Sequence, residues 1–291
     1  MNSDFVVPIP PSYNQNEEMM LGEVETYVKF LENSNVSTVM TTAGTSQYNL
    51  LSDDEIMSLN YQVSLFSKKK ILGLPAKSML ELKKFISSQK RMIHSDNCHY
   101  MGLYPDRFYD SQTIIDYFSS VTDCVGSPIY IHGMFMRAGK GGQWNFTADI
   151  LNDLFDRNLI LGIKEEHSDL AASYNFILNL NPEIDVIVAG GSMRRHQFLR
   201  NAGANSFLSG VGNLFPQIEI DYINGNESSA IEKENKLFSV FNKYGWHRSL
   251  RIGLFILNFG YEYDRMPWAQ RDDQAVDDIR NVIKEIGISD E

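Results

Sequence analysis

Only two cysteines, Cys98 and Cys124, occur in 291 residues. That count excludes a framework of disulfides and any paired-cysteine metal site, and leaves a reducing compartment as the simplest expectation. Positive charge is also in short supply, with 26 Lys and Arg against 37 Asp and Glu for a net charge of −11. A nucleic-acid partner needs a basic face to neutralise phosphates, so that class is excluded. No stretch approaches the roughly eighteen uninterrupted apolar residues of a spanning helix. The start, Met1-Asn2-Ser3-Asp4, has neither the basic residues nor the apolar run of a secretory leader. The expectation is a cytoplasmic protein with no membrane partner. Glycine is missing from Pro8 to Asn14, directly after the first apolar stretch, where an open doubly wound sheet usually carries a glycine-rich phosphate turn. The histidines at 94, 99, 167, 196 and 247 show no paired spacing on one helix, so no metal site is expected.

What is present is ordinary globular composition, 43% hydrophobic and 22% charged, arranged in a regular alternation. Short β-branched or apolar runs at Phe5-Val6-Val7, Val36 to Met40, Ile71 to Leu74, Tyr100 to Leu103, Ile129 to His132, Leu159 to Lys164, Val186 to Val188 and Ser206 to Leu208 read as eight strands. Segments of helical spacing separate them, among them Met20 to Leu31, a serine-capped start at Ser52, Ser78 to Ser88, Ser111 to Ser120, Thr147 to Asp156, Leu170 to Asn179 and Met193 to Asn201. Strand and helix in strict alternation predict parallel βαβ units and a (β/α)8 TIM barrel. Residues 1–212 are expected to form the barrel core. Residues 213–291 are expected to hold the last barrel helix and a C-terminal helical extension, with a helix over Asp273 to Ile286.

In such a barrel the chemistry sits at the C-terminal ends of the strands. The run Leu159-Ile160-Leu161-Gly162-Ile163-Lys164-Glu165-Glu166-His167 ends an apolar strand in a lysine. Burial disfavours an ammonium, so a lysine held there tends towards a neutral, nucleophilic amine suited to Schiff-base chemistry. A strand-end lysine that snorkels to solvent fits the same nine residues. Tyr130 and His132 lie two apart and share a face, and His132, at the strand exit, is a candidate proton carrier. Thr41-Thr42-Ala43-Gly44-Thr45 offers hydroxyls and backbone amides for a carboxylate. Tyr104, Gly190 and the Ser209-Gly210 turn after Leu208 mark further exits. Arg194 and Arg195 follow Gly190-Gly191-Ser192 at a helix start that favours anions, and Arg137 lies in a glycine-containing loop after the His132 strand.

The order of these pieces resembles the dihydrodipicolinate synthase and N-acetylneuraminate lyase family of pyruvate-dependent class I aldolases over nearly the whole chain. Gly162-Ile163-Lys164 looks like the family's Schiff-base lysine motif, preceded by Arg137-Ala138-Gly139 where the family has an Arg-Thr-Gly-like turn. Ala189-Gly190-Gly191, Gly203-Ala204, Leu208-Ser209, Asn213-Leu214-Phe215-Pro216 and Arg265-Met266-Pro267-Trp268 follow in matching order. The resemblance implies that Lys164 forms an imine with a 2-oxo acid such as pyruvate and needs no separate cofactor. It implies that the Thr42 loop grips the carboxylate, that Tyr104 stands near the family's tyrosine from the fourth strand, and that the chain assembles as a homotetramer or dimer. Arg194 and Arg195 stand where relatives contact the distal part of the substrate, which suggests an acidic, sugar-like aldehyde partner.

The chain departs from the family at two places. Thr41, Ala43 and Thr45 replace a glycine, a hydroxyl residue and a glutamate of the carboxylate loop, and His132 stands where the family has its proton-transferring tyrosine, with Gly133 in place of an asparagine. A phenol and an imidazole differ by several units in ordinary pKa, so either the proton transfers pass to His132, or to Tyr130 reaching from one layer deeper, or the reaction itself has changed. An aldolase or synthase, a dehydratase or hydrolase of a 2-oxo sugar acid using the same imine, and a ligand-binding homologue without turnover all remain open on the sequence.

Overall fold

The structure, a computed structural model, describes residues 4–104, 110–133, 146–260, 263–267 and 272–287. Eight strands, β1 (Asp4–Pro8), β2 (Thr38–Met40), β3 (Lys69–Gly73), β4 (Cys98–Gly102), β5 (Ile129–Gly133), β6 (Ile160–Glu165), β7 (Asp185–Val188) and β8 (Ser206–Leu208), close a barrel in sequence order. The pairings between β3 and β8, and between β8 and β1, are parallel. Each strand leads to a helix: α1 (Leu21–Asn33), α2 (Asp53–Ser64), α3 (Met79–Met92), α4 (Ser111–Val125), α5 (Ala148–Asp156), α6 (Leu170–Leu178), α7 (Ser192–Leu199) and α8 (Pro216–Ile223). Three more follow, α9 (Glu227–Tyr244), α10 (Trp246–Ile256) and α11 (Asp273–Gly287). The (β/α)8 barrel with C-terminal helices is the predicted architecture. No helix among the described residues is long and apolar enough to cross a membrane.

The strands form because both faces are covered: β2 and β5 are buried at every position, and their residues are mainly apolar or β-branched. The helices start where the sequence supplies a side-chain oxygen for the first free amides. Ser52 and Glu55 make a reciprocal capping box on α2, and Ser78, Asp110, Thr147 and Asp169 cap α3, α4, α5 and α6. Gly126 ends α4 at φ 83°, in the left-handed region that glycine occupies without strain.

By internal contacts the chain divides into two units, residues 1–6 with 69–208 and residues 7–68 with 209–291. In the first, Ile71, Ile131, Ile163, Ile187 and Phe207 are fully buried, and Phe5 stacks on Phe207 at 6.1 Å. In the second, Tyr27 lies near Phe259, its hydroxyl donates to the Asn213 carbonyl at 2.9 Å, and α11 buries Val276, Ile279, Val282 and Ile283. Burial of these four β-branched side chains stabilises that unit by roughly 1.5–3 kcal/mol each before chain entropy is charged against it. Tyr13 lies between two guanidinium groups there, those of Arg251 and Arg265, at 4.9 and 4.6 Å from its ring. Arg265 bonds Glu55 at 2.7 Å and the Leu50 carbonyl at 2.8 Å, so the Arg265 motif of the sequence serves as an anchor; Trp268 lies outside the described residues.

Candidate active site

Strand β6 ends one residue later than the sequence suggests, at Glu165 and not at Lys164. Glu165 stays in the ladder because its backbone pairs with Val188 and its carbonyl accepts from the Ala189 amide at 2.9 Å. Lys164 is therefore inside the sheet, 2% exposed, where an ordinary strand-end lysine would reach solvent. Alternation along β6 sends Gly162 and Lys164 to one face and Ile163 and Glu165 to the other.

A one-residue irregularity sets what Lys164 meets. Ile129 pairs with Ile160, but Tyr130 pairs with Gly162, so Leu161 is an extra residue in β6. Unbroken pairing from Ile129 would set His132 against Ile163; the shift sets it against Lys164, side chains on a common face. Gly162, just past the extra residue, has no room for more: a Cβ there would stand 2.1 Å from the Asp185 carbonyl oxygen of β7.

The side chains meet accordingly. His132 Nε2 lies 2.8 Å from Lys164 Nζ, and Lys164 Nζ donates to Glu166 Oε1. His132 Nε2 also lies 3.3 Å from Glu166 Oε2. Glu166 is the residue the sequence reading missed. The signal was its position two after Lys164, the spacing that returns a side chain to the same face. Burial pulls the Lys164 ammonium below its ordinary value of 10.5, against the opposing field of Glu166. Burial raises Glu166, but Lys164 and His132 outweigh it and hold the carboxyl well below the usual range. Amine, imidazole and carboxylate thus form one hydrogen-bonded cluster.

On the other face, Glu165 is fully buried. It accepts from Arg195 Nη2 at 3.0 Å, from the His167 amide at 2.7 Å, and faces His167 Nδ1 at 2.6 Å. Burial raises its pKa; the hydrogen bond from His167 and the Arg195 charge more than offset that, and the net direction is down. Arg195 Nη2 also donates to the His167 carbonyl at 2.7 Å and to Ser173 Oγ at 3.0 Å. The anion that Arg195 meets is therefore a carboxylate of its own chain, in contrast to the substrate clamp its sequence position suggested. Arg194, on the same helix, is exposed. Gly190 holds φ 80° ahead of α7, a turn that a Cβ would strain.

Tyr130 shares the His132 face but not its neighbours. Its hydroxyl donates to Asp185 Oδ2 at 2.7 Å and accepts from Lys69 Nζ at 2.8 Å. Lys69 and Asp185 are the first residues of β3 and β7, so this hydroxyl is tied at the strand starts, away from the exits. Burial pushes its pKa far up, and Asp185 pushes it further, which makes it a poor proton carrier. Tyr104 is buried in an aromatic cluster, edge-on to Tyr117 at 5.3 Å and to Phe146 at 6.2 Å. Leu208 closes β8, half-buried opposite Val6. Arg137 lies outside the described residues.

The threonine loop is a network of its own. Thr41 Oγ1 donates to Asn60 Oδ1 at 2.5 Å and accepts from the Tyr48 hydroxyl at 2.8 Å. The Thr42 amide donates to Ser46 Oγ at 3.0 Å, and Ser46 donates to the Ile9 carbonyl at 2.6 Å. Thr42 Oγ1 is buried and has no partner among the described residues. A buried hydroxyl left unpaired costs free energy, about 1–3 kcal/mol, and is the group in this loop with capacity for an anion. Thr45 is buried, Ala43 and Gly44 are half-buried, and a Cβ on Gly44 would stand 3.4 Å from His247 Nε2.

No protein-family model matches the chain. A curated relative, the 4-hydroxy-tetrahydrodipicolinate synthase of Karelsulcia muelleri (strain GWSS), is 26% identical over 163 residues, 53% of this chain and 53% of that protein. The match thus spans about half the length of that relative. Among solved structures, the 4-hydroxy-tetrahydrodipicolinate synthase of Methylacidiphilum fumariolicum SolV superposes with a TM-score of 0.80 at 16% identity, over 98% of this chain and 96% of that one. The dihydrodipicolinate synthase of Aquifex aeolicus gives 0.81 at 15% identity, over 98% of both chains. YagE of E. coli K12, a prophage protein of the dihydrodipicolinic acid synthase family solved in complex with pyruvate, gives 0.82 at 14% identity, over 98% of this chain and 99% of that one. At such identities the superpositions speak for the fold, and the curated match adds sequence over half the chain. The chain thus shares the fold of these dihydrodipicolinate synthase structures and is similar in sequence to one such synthase over about half its length.

Proposed function

We propose that the chain is a carbon–carbon lyase or synthase of the class I aldolase type. In this reading Lys164 holds a 2-oxo acid, pyruvate in the simplest case, as an imine, and the derived enamine makes or breaks a bond to an aldehyde partner. The observation that carries the reading is Lys164 itself: an amine 2% exposed, with its pKa lowered by burial and an imidazole nitrogen 2.8 Å away. Neutral lysine is the nucleophile, and the protonated imine then withdraws electrons from the neighbouring carbon. His132 provides the acid–base group that the family's tyrosine would supply. The aldehyde is expected to be acidic and sugar-like on the strength of the resemblance, and assembly as a homotetramer or dimer belongs to the same expectation.

The test is incubation with pyruvate, reduction with borohydride, and measurement of the intact mass. A pyruvate-derived adduct that requires both reagents is expected. A chain that gains no mass with pyruvate or with longer 2-oxo acids overturns the reading.

A further inference from the structure

We propose that Glu166 is a catalytic acid–base residue, exchanging protons with the Lys164 amine and with substrate, and that His132 Nε2 relays protons between them. This rests on the imine reading of Lys164. Oε1 of Glu166 accepts directly from Lys164 Nζ, while Oε2 lies 3.3 Å from His132 Nε2. The same Nε2 lies 2.8 Å from Nζ. One ring nitrogen is thus within reach of both the nucleophile and the carboxylate. Unprotonated, it accepts from Nζ; protonated, it donates to Oε2. That ambivalence is what a relay requires. A carboxylate serving only to neutralise a lysine would need no such third partner. Glu166 is also about one quarter exposed, whereas Lys164 and His132 are each 2% exposed, so it is the member of the cluster that can release to solvent a proton it has received.

The steps balance without any further reagent. The ammonium of Lys164 gives a proton to Glu166 and becomes the amine. Its lone pair attacks the keto carbon, and the carbonyl π pair moves to oxygen. His132 moves a proton from nitrogen to that oxygen, giving the carbinolamine. Glu166, now a carboxylic acid, protonates the hydroxyl; the C–O bond breaks, water leaves, and the nitrogen lone pair closes the iminium. Glu166, again a carboxylate, removes a proton from the adjacent carbon, and the C–H pair forms the enamine. The sum is ammonium plus ketone giving iminium plus water, followed by a proton moved from carbon to Glu166.

The experiment follows exchange of the methyl hydrogens of pyruvate for deuterium by NMR, beside borohydride trapping. In Glu166→Gln, exchange is expected to fall about 10²- to 10⁴-fold, the usual range for loss of a general acid or base, while pyruvate still saturates the site. In Glu166→Ala, added formate should restore exchange by about tenfold or more, because a small carboxylate fills the vacated acid–base position. Formate rescue also decides the matter if the Gln variant does not fold. Exchange in Glu166→Gln within about threefold of wild type, or no effect of formate, overturns the proposal while leaving the imine intact. Absence of any pyruvate adduct in the wild-type chain overturns this proposal and the imine reading together.

Discussion

Glu165 and Glu166 are neighbours in sequence and opposites in environment. Glu165 points away from Lys164 and is fully buried, met by Arg195 and by the amide and ring of His167. Glu166 lies on the Lys164 side, partly exposed, and meets Lys164 and His132. Both carboxyls are held below their ordinary pKa, for different ends. The first ties β6 to α7 with fixed partners. The second meets the amine and the imidazole between which the proposed chemistry moves protons. Period-two alternation at the end of one strand is enough to give adjacent identical side chains entirely different partners.

The comparison breaks most sharply at Lys164. Lys164→Arg keeps a cation for Glu166 but cannot form an imine, so pyruvate trapping is expected to vanish, while thermal unfolding shows a folded chain; residual trapping on another lysine would place the chemistry elsewhere. Next in size is the Glu165 side. Arg195→Ala leaves a buried carboxylate without its guanidinium and is expected to lower stability by about 3–5 kcal/mol in urea titrations, and a loss below about 1 kcal/mol would show that the buried pair does not hold the fold.

The pH dependence sharpens the same contrast. Both carboxyls bind protons less readily when folded than their ordinary 4.5, so below that value the unfolded chain takes up more protons and stability falls with falling pH. The urea midpoint should therefore drop between about pH 5 and pH 3, and Glu165→Gln should flatten that limb. A limb unchanged in that variant would mean Glu165 contributes nothing to it. Smallest is Tyr130→Phe, which removes a hydroxyl shared by Lys69 and Asp185. It is expected to cost about 1–2 kcal/mol of stability and to leave imine trapping at wild-type rate; loss of trapping would return Tyr130 to the chemistry.

Much of this was readable in the sequence. The eight apolar runs were legible because parallel strands buried on both faces leave little choice of residue, and Lys164 stood out because it interrupts one of them. What was not legible depends on register and on distant partners. Nothing in Leu159 to Lys164 announces that Leu161 is an extra residue, yet that shift decides whether Lys164 or Ile163 stands beside His132. Arg195 looked like an anion clamp because it follows a Gly-Gly turn at a helix start. Its anion is Glu165, 30 residues earlier and one strand away, a contact no local pattern reveals. Tyr130 had the right face and the wrong end, since its hydroxyl is fixed by Lys69 and Asp185 at the strand starts.

The central claim is that the imine forms on the lysine beside His132 and Glu166. Among the described residues two lysines of the barrel are almost fully buried, Lys70 on β3 and Lys164 on β6, 1% and 2% exposed. The most direct test is to reduce the wild-type chain with borohydride in the presence of pyruvate, digest it, and map the modified peptide. The account predicts the added mass on Lys164. Mass on Lys70 or on any other lysine would contradict it.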